Sequence, residues 1–321
     1  AGHIICLSGR SVTVSVESGD GGRWRIKYYN GKSAVTIEML ERLMALQTAG
    51  AVPLPDVGMH AGSVFFVSPS LAAESLDRRP LPLGLLAERI IPQLFDIVEY
   101  YHKNGILLRD ICPEHLLYLP DGERLAYCGF GNAAQLAKGA ERSKSPGYGQ
   151  HFAYLAPEIE RYGYSRASDY FSVGATILAL VEGRNPAGTM SGEAYLAQIK
   201  EGMAPGMDVG HLRKIPYELY SLEDKILYLA LGLLNADPLK RWGGGEARCW
   251  CGGEEIPLVR EGKKTDYRFS ESFAVSGRKC WNERELAEAV AADTGAWKEE
   301  TLRRHAGFSG IQPLKCAEDI S

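Results

Sequence analysis

Residues Leu107 to Leu119 read L-L-R-D-I-C-P-E-H-L-L-Y-L, a polar Arg109-Asp110 turn held between apolar flanks. Further along comes Tyr127-Cys128-Gly129-Phe130-Gly131. His115 offers ring nitrogen, a poor ligand for Mg²⁺ and a better one for zinc or another transition metal. Gly129 offers no side chain at all. The chain has 7 Cys, an odd number with scattered spacing, which favours reduced thiols and a cytoplasmic setting. The last four, Cys249, Cys251, Cys280 and Cys316, have the number for a Cys₄ zinc site. One residue separates Cys249 from Cys251, however, where such sites use two to four. Ordinary thiols are the other reading.

The Arg109-Asp110 and Cys128-Gly129-Phe130-Gly131 segments resemble the catalytic loop and metal-binding loop of the protein-kinase superfamily, H-R-D-L-x-x-x-N and D-F-G. Further landmarks follow in the family's order. Ile26-Lys27 resembles the lysine strand. Leu155-Ala156-Pro157-Glu158 resembles the A-P-E signature. Ser168-Asp169-Tyr170-Phe171-Ser172-Val173-Gly174 resembles the start of the central helix. Asp237-Pro238-Leu239-Lys240-Arg241 resembles the late arginine loop. The resemblance covers roughly residues 4–248, and the region Asp237–Cys251 followed by Tyr267–Val290 resembles the extensions of bacterial-type kinase-like proteins.

The resemblance assigns each position a task. Lys27 would hold nucleotide phosphates, with Glu38 as its helix partner. Asp110 would be the base, or a vestige that only shapes its loop. Gly9, Val14, Lys27, Ser68 and Ser70 would line the nucleotide cleft. Only Gly9 remains of the glycine loop, and Arg10 beside it either supplies a substitute cation or is a solvated turn residue. The two metal ligands of the family fall on His115 and Gly129, so Mg²⁺ is not expected. Glu114 and Asn132 carry oxygens nearby that would partly rescue a metal site. Cys112 takes the place of the catalytic-loop lysine, and Leu108 that of the histidine. Glu158 and Arg241 would form a buried charge pair, and Asp169 would bind catalytic-loop amides. The segment 132–155 would be the activation segment, with Ser143, Ser145, Tyr148 and Tyr154.

The elements that must position these residues follow from periodicity. Ile4–Leu7, Val12–Val16 and Trp24–Tyr28 read as an antiparallel meander. Thr36–Gln47 has helical spacing, with Glu38 and Glu41 on one side. Val52–Leu54 and Val64–Val67 read as two more strands. Leu85–Lys103 is a helix stopped by Asn104-Gly105, and two short hairpin-like strands surround the Arg109-Asp110 turn. Helical patterns resume at Ser168–Glu182, Glu193–Glu201 and Leu222–Leu234. A composition change falls at Gly243-Gly244-Gly245. Beyond it lie a strand-like Tyr267–Val275, a helix Asn282–Ala292 and a second helix around Trp297–His305. The expected fold is α+β and bilobed: a small antiparallel β lobe (about 4–70), a larger α-helical lobe (about 71–248), and a C-terminal extension, 249–321, of α+β type.

Composition is that of a soluble globular chain, 45% hydrophobic and 24% charged over 321 residues. A net charge of −4 and a pI near 6.0 argue against nucleic acid. No apolar run approaches the ~20 residues that span a bilayer. The chain starts Ala1-Gly2-His3, without Met, as a processed or engineered end would, and Ile320-Ser321 is the kind of stop expected of a chain cut from something longer. The leading expectation is a pseudokinase that works as a scaffold or allosteric regulator for a protein partner. Its ATP or ADP binding would be weak, metal-independent or absent. One alternative is an active atypical kinase, or another ATP-dependent transferase, with a rearranged metal site. A second is an interaction module whose C-terminal extension binds the partner.

Overall fold

The computed structural model describes residues 2–7, 11–29, 34–46, 48, 50–147, 152–200, 212, 216–256, 273–275, 278–280 and 289. The chain divides into two compact units, Ala1–Arg260 and Glu261–Ser321.

The first unit opens with an antiparallel sheet of order β1-β2-β3-β5-β4: β1 Gly2–Leu7, β2 Ser11–Glu17, β3 Arg23–Tyr29, β4 Asp56–His60 and β5 Ser63–Pro69. The alternation in β2, S-V-T-V-S-V, is the period of a strand with two different faces. Ser18 to Gly22 turns β2 into β3, with Gly21 at φ 82°. Between β3 and β4 lies helix α1, Ile37–Ala45, whose N-terminus is capped by the Thr36 hydroxyl accepting from Met39 N–H at 3.3 Å. Met39, Leu40 and Leu43 bury its inner face.

The expected strand at Val52–Leu54 does not form. Pro53 and Pro55 supply no N–H to a ladder, and Val52 N–H donates instead to Tyr127 O at 3.0 Å. The strand of this region is β4, a few residues later.

The α lobe is built around α2, Ile91–Lys103, and α3, Arg166–Glu182. Residues 86–90 lead into α2 as a π-helical turn. Leu94, Ile97, Val98 and Tyr101 carry its buried stripe, each worth about 1.5–3 kcal/mol relative to exposure. It stops at Asn104-Gly105, with Gly105 at φ 71°. A reciprocal cap between Ser165 and Ser168 starts α3. Helices α4 Gly192–Lys200, α5 Leu222–Leu233 and α6 Gly244–Cys251 follow. Gly174 lets α3 approach α5 closely, since a Cβ there would sit 2.7 Å from the Leu233 side chain and 3.2 Å from Ala230 O. The Gly243-Gly244-Gly245 run begins α6 rather than linking two bodies. Trp250 from α6 is buried and donates to Lys225 O at 3.0 Å, and Arg248 pairs with Glu99.

The two strands beside the Arg109-Asp110 turn do not pair with each other. Strand β6, Ile106–Leu107, pairs with Ala134–Gln135, while β7, Leu116–Leu119, pairs with β8, Arg124–Tyr127. The loop between them is therefore held by other groups.

In the second unit the described residues form one antiparallel hairpin, Phe273–Val275 with Arg278–Cys280. It overlaps the strand-like 267–275 segment. The expected helices at 282–292 and 297–305 lie outside the described residues, apart from Ala289.

Candidate functional site

Asp169, at the start of α3, organises the loop. Its carboxylate accepts from Leu108 N–H and Arg109 N–H, both at 2.9 Å, and lies 2.8 Å from His102 Nε2. It is 1% exposed, so these three partners replace water. They also hold Arg109 at φ 66°, a left-handed conformation that a side chain with a Cβ disfavours by about 1–2 kcal/mol. The Arg109 guanidinium stacks 3.9 Å from the Tyr164 ring centroid and donates to Ser145 Oγ (2.8 Å) and Ser145 O (3.0 Å). Burial lowers its pKa; Tyr164, Asp169 and Asp110 oppose that. Thr176 from α3 donates to Ile111 O at 3.2 Å, tying the end of the loop to the same helix.

Asp110 is mostly buried, and its Oδ2 accepts from Asn132 Nδ2 at 2.9 Å. His115 Nδ1 is 2.8 Å from Asp110 O and 3.7 Å from Asp110 Oδ2. A carbonyl only accepts, so Nδ1 carries a proton in this arrangement. The Tyr127 hydroxyl reaches Gly129 O (2.7 Å) and Asp110 O (3.2 Å). Cys112 lies 3.4 Å from His115 Nδ1, and burial, then Asp110 and Glu114, raises its pKa well above the ordinary thiol range.

Gly129 and His115 occupy one space. A Cβ on Gly129 would lie 2.6 Å from His115 Cγ and Nδ1 and 2.7 Å from the Tyr127 hydroxyl. Such distances are inside van der Waals contact, so the imidazole and the phenol fill the volume that a side chain at 129 needs. Phe130 beside it is fully buried among Phe66, Tyr101 and Tyr127, with ring centroids 6.3, 6.0 and 5.2 Å away.

Lys27 faces this loop. The charges of both Lys27 and Asp110 act on the half-buried Cys128 and on the buried Tyr29 phenol; burial raises the pKa of each, and Lys27 opposes it. The Lys27 ammonium sits 5.4 Å from the Tyr29 ring centroid. Glu38 does not join it: Glu38 is exposed, bonded to Thr36 in the first turn of α1, and the Thr36 hydroxyl lowers its pKa. Among the described residues no ion pair links Glu38 to Lys27. The strand register corrects Val14 as a cleft residue. Thr13 stands opposite Lys27 and Val14 opposite Ile26, so Val14 belongs to the other face of the sheet. Ser68, buried and opposite Arg25, shares the Lys27 face, and Ser70 N–H donates to Arg23 O at 2.9 Å. Gly9 and Arg10 lie outside the described residues.

Arg25, Tyr127 and Cys112 are the groups that sequence reasoning undervalued. Arg25 is two residues from Lys27 on the same face of β3, and its charge lowers the pKa of Cys128. Strand alternation alone pointed to it.

The residues present do not fit Mg²⁺. That ion needs hard oxygen ligands in near-octahedral array. Of the loop's two carboxylates, Asp110 is already bonded to Asn132 and lies beside an imidazole and a thiol, while Glu114 is exposed and is not part of that cluster. The volume where a carboxylate at 129 would project is filled.

The scaffold is more complete. Glu158 and Arg241 form a bidentate pair at 2.6 and 2.9 Å, with side chains 4% and 0% exposed, and Arg241 also donates to Ala167 O and Asn235 O.

A small antiparallel lobe, a larger helical lobe and this loop between them define a protein-kinase-like fold. Residues 71–249 match the protein kinase domain family, over half of the chain, and the chain belongs to that family. Among curated proteins it is similar to the serine/threonine-protein kinase AtPK2/AtPK19 of Arabidopsis thaliana, 27% identical over 73% of this chain and 47% of the relative. It is similar to ribosomal protein S6 kinase 2 beta of Xenopus laevis, 29% identical over 47% of this chain and 24% of the relative. The probable serine/threonine-protein kinase fhkC of Dictyostelium discoideum is 36% identical over 35% of this chain and 19% of its own length. The chain spans less than half the length of these relatives. Among the described residues no helix is long and apolar enough to cross a membrane.

Proposed function

We propose that this chain is a pseudokinase: a kinase-fold protein that acts as a scaffold or allosteric partner for another protein in the cytoplasm and does not transfer phosphate with Mg²⁺. The observation that carries the reading is the shared volume of Gly129 and His115. A missing ligand alone could be replaced by a neighbour. Here the imidazole and the Tyr127 hydroxyl fill the space, and Asn132 takes the Asp110 carboxylate. Asp110 then serves its loop. The intact Asp169 and Glu158–Arg241 contacts support a scaffold kept for shape.

A second reading, an active kinase with rearranged ligands, is favoured by the relatives, which are named as protein kinases, two of them serine/threonine kinases. Melting the purified chain with ADP or ATP, with and without Mg²⁺ or Mn²⁺, separates the two. Ligand at 100 times its Kd stabilises the native state by about 2.7 kcal/mol. A pseudokinase of this kind gives the same shift with or without metal, or none. A shift that needs metal supports the active reading.

A further inference from the structure

The same substitutions that remove the hard-oxygen site assemble a softer one. Cys112, Pro113, Glu114 and His115 form a tight turn in which His115 N–H donates to Cys112 O at 3.0 Å. In a 3₁₀ turn residues three apart stand over one another, so thiol and imidazole are brought side by side, Sγ to Nδ1 3.4 Å. Asp110 puts Oδ2 3.7 Å from the same nitrogen. One sulfur, one nitrogen and one oxygen lie within 4.8 Å of one another.

We propose that Asp110, Cys112 and His115 form a three-ligand site for Zn²⁺, replacing the magnesium site that the loop has lost. Tetrahedral zinc, with bonds of about 2.0–2.3 Å to N, O and S, sets its ligands about 3.3–3.6 Å apart. The two observed separations from Nδ1 lie close to that spacing, so the third edge has to close and the imidazole has to turn off Asp110 O, which now lies 2.8 Å from Nδ1. A thiolate and a carboxylate together neutralise the ion, which limits the cost of holding it in a largely buried loop. Asn132 on Asp110 Oδ2 and the Tyr127 ring, 6.4 Å from the His115 ring and near perpendicular to it, fix two of the ligands from behind. Gly129 is part of the arrangement, since any side chain there would displace the imidazole.

Binding has a defined proton balance. The Cys112 thiol proton leaves to solvent. The Nδ1 proton, now shared with Asp110 O, is given up in favour of the Nε2–H tautomer. Three protein ligands leave one tetrahedral position for a water.

The test uses the whole chain, stripped with a chelator. Zn²⁺ is titrated against a chromophoric chelator, and Co²⁺ is added separately to read ligand-field bands and a thiolate-to-cobalt charge-transfer band. We expect one metal per chain with a single-thiolate band. Cys112→Ser should abolish the band. Cys112→Ser, His115→Gln and Asp110→Asn should each weaken Zn²⁺ by more than the ~10–100-fold that loss of a supporting group costs. The double variant Cys249→Ser/Cys251→Ser should bind as wild type. Apo-form circular dichroism checks folding; if Cys112→Ser does not fold, His115→Gln must change both affinity and ligand-field spectrum. Absence of a thiolate band in wild type, a band that survives Cys112→Ser, or one lost with Cys249 and Cys251 overturns the site. No nucleotide enters this titration, so its outcome is separate from whether the chain transfers phosphate.

Discussion

At the scale of single residues, Gly129 and His115 are one change made at two positions. A carboxylate at 129 meets the imidazole, and an imidazole at 115 needs a glycine at 129. Gly129→Asp alone should therefore destabilise by about 1–3 kcal/mol, the usual cost of overpacking. Adding His115→Asn should recover much of that loss, leaving only the Tyr127 contact to relax. Denaturant melts of both single variants and the double variant measure the coupling; strictly additive costs would show that the two sites do not share space. The thiols give a second residue-scale prediction. Burial raises the Cys112 and Cys128 pKa values in the folded state above the ordinary 9.0. Below that value both states hold the thiol proton and the contribution to stability is complete. Above it the unfolded chain loses protons first, so stability falls as pH rises. Melts of the metal-free chain from pH 7 to beyond 9.0 should show the decline, smaller when Cys112 is replaced by Ala. A flat profile would mean that both thiols ionise freely.

At the scale of elements, two buried carboxylates fasten the α lobe. Arg241→Ala leaves Glu158 charged without its partner, and the expected loss is about 3–5 kcal/mol by equilibrium unfolding. An unchanged melting temperature would contradict the burial of the pair. Asp169→Ala removes the acceptor for two backbone N–H groups that hold Arg109 in its left-handed conformation. Hydrogen exchange should show Leu108 and Arg109 losing protection before the core of α3 does. Both carboxylates were readable from sequence, because each sits in a short motif that resembles the kinase family's, and the resemblance assigns its partner. The same holds for α1, α2, α3 and α5, where apolar residues keep a clean helical period. What sequence did not deliver was long-range pairing. Ile106–Leu107 finds Ala134–Gln135 rather than its neighbour in sequence. Val52–Leu54 is apolar because it is buried, not because it is a strand, and its flanking prolines were the overlooked signal. Val14 was assigned to the cleft by position, whereas strand register, set one residue off, turns it to the opposite face. Glu38 satisfied the helix spacing but answers to its own N-terminal cap.

At the scale of the whole molecule, the fold retains its shape-determining contacts while its charge-handling groups have changed partners. Asp110 bonds Asn132, Arg109 bonds Ser145 and stacks on Tyr164, and His115 fills the place of a metal-binding side chain. Each is a local change, and under the proposed reading they together leave no room at Gly129 for a carboxylate that would hold Mg²⁺. Phosphoryl transfer relies on metal to bridge and neutralise the phosphates, so the whole account stands or falls on turnover. The most direct measurement incubates the purified chain with radiolabelled ATP and Mg²⁺ or Mn²⁺, alone and with a general protein substrate, beside Asp110→Ala. The account predicts no incorporation above the Asp110→Ala background under either metal. Label that appears in wild type, needs metal, and disappears in Asp110→Ala would contradict it.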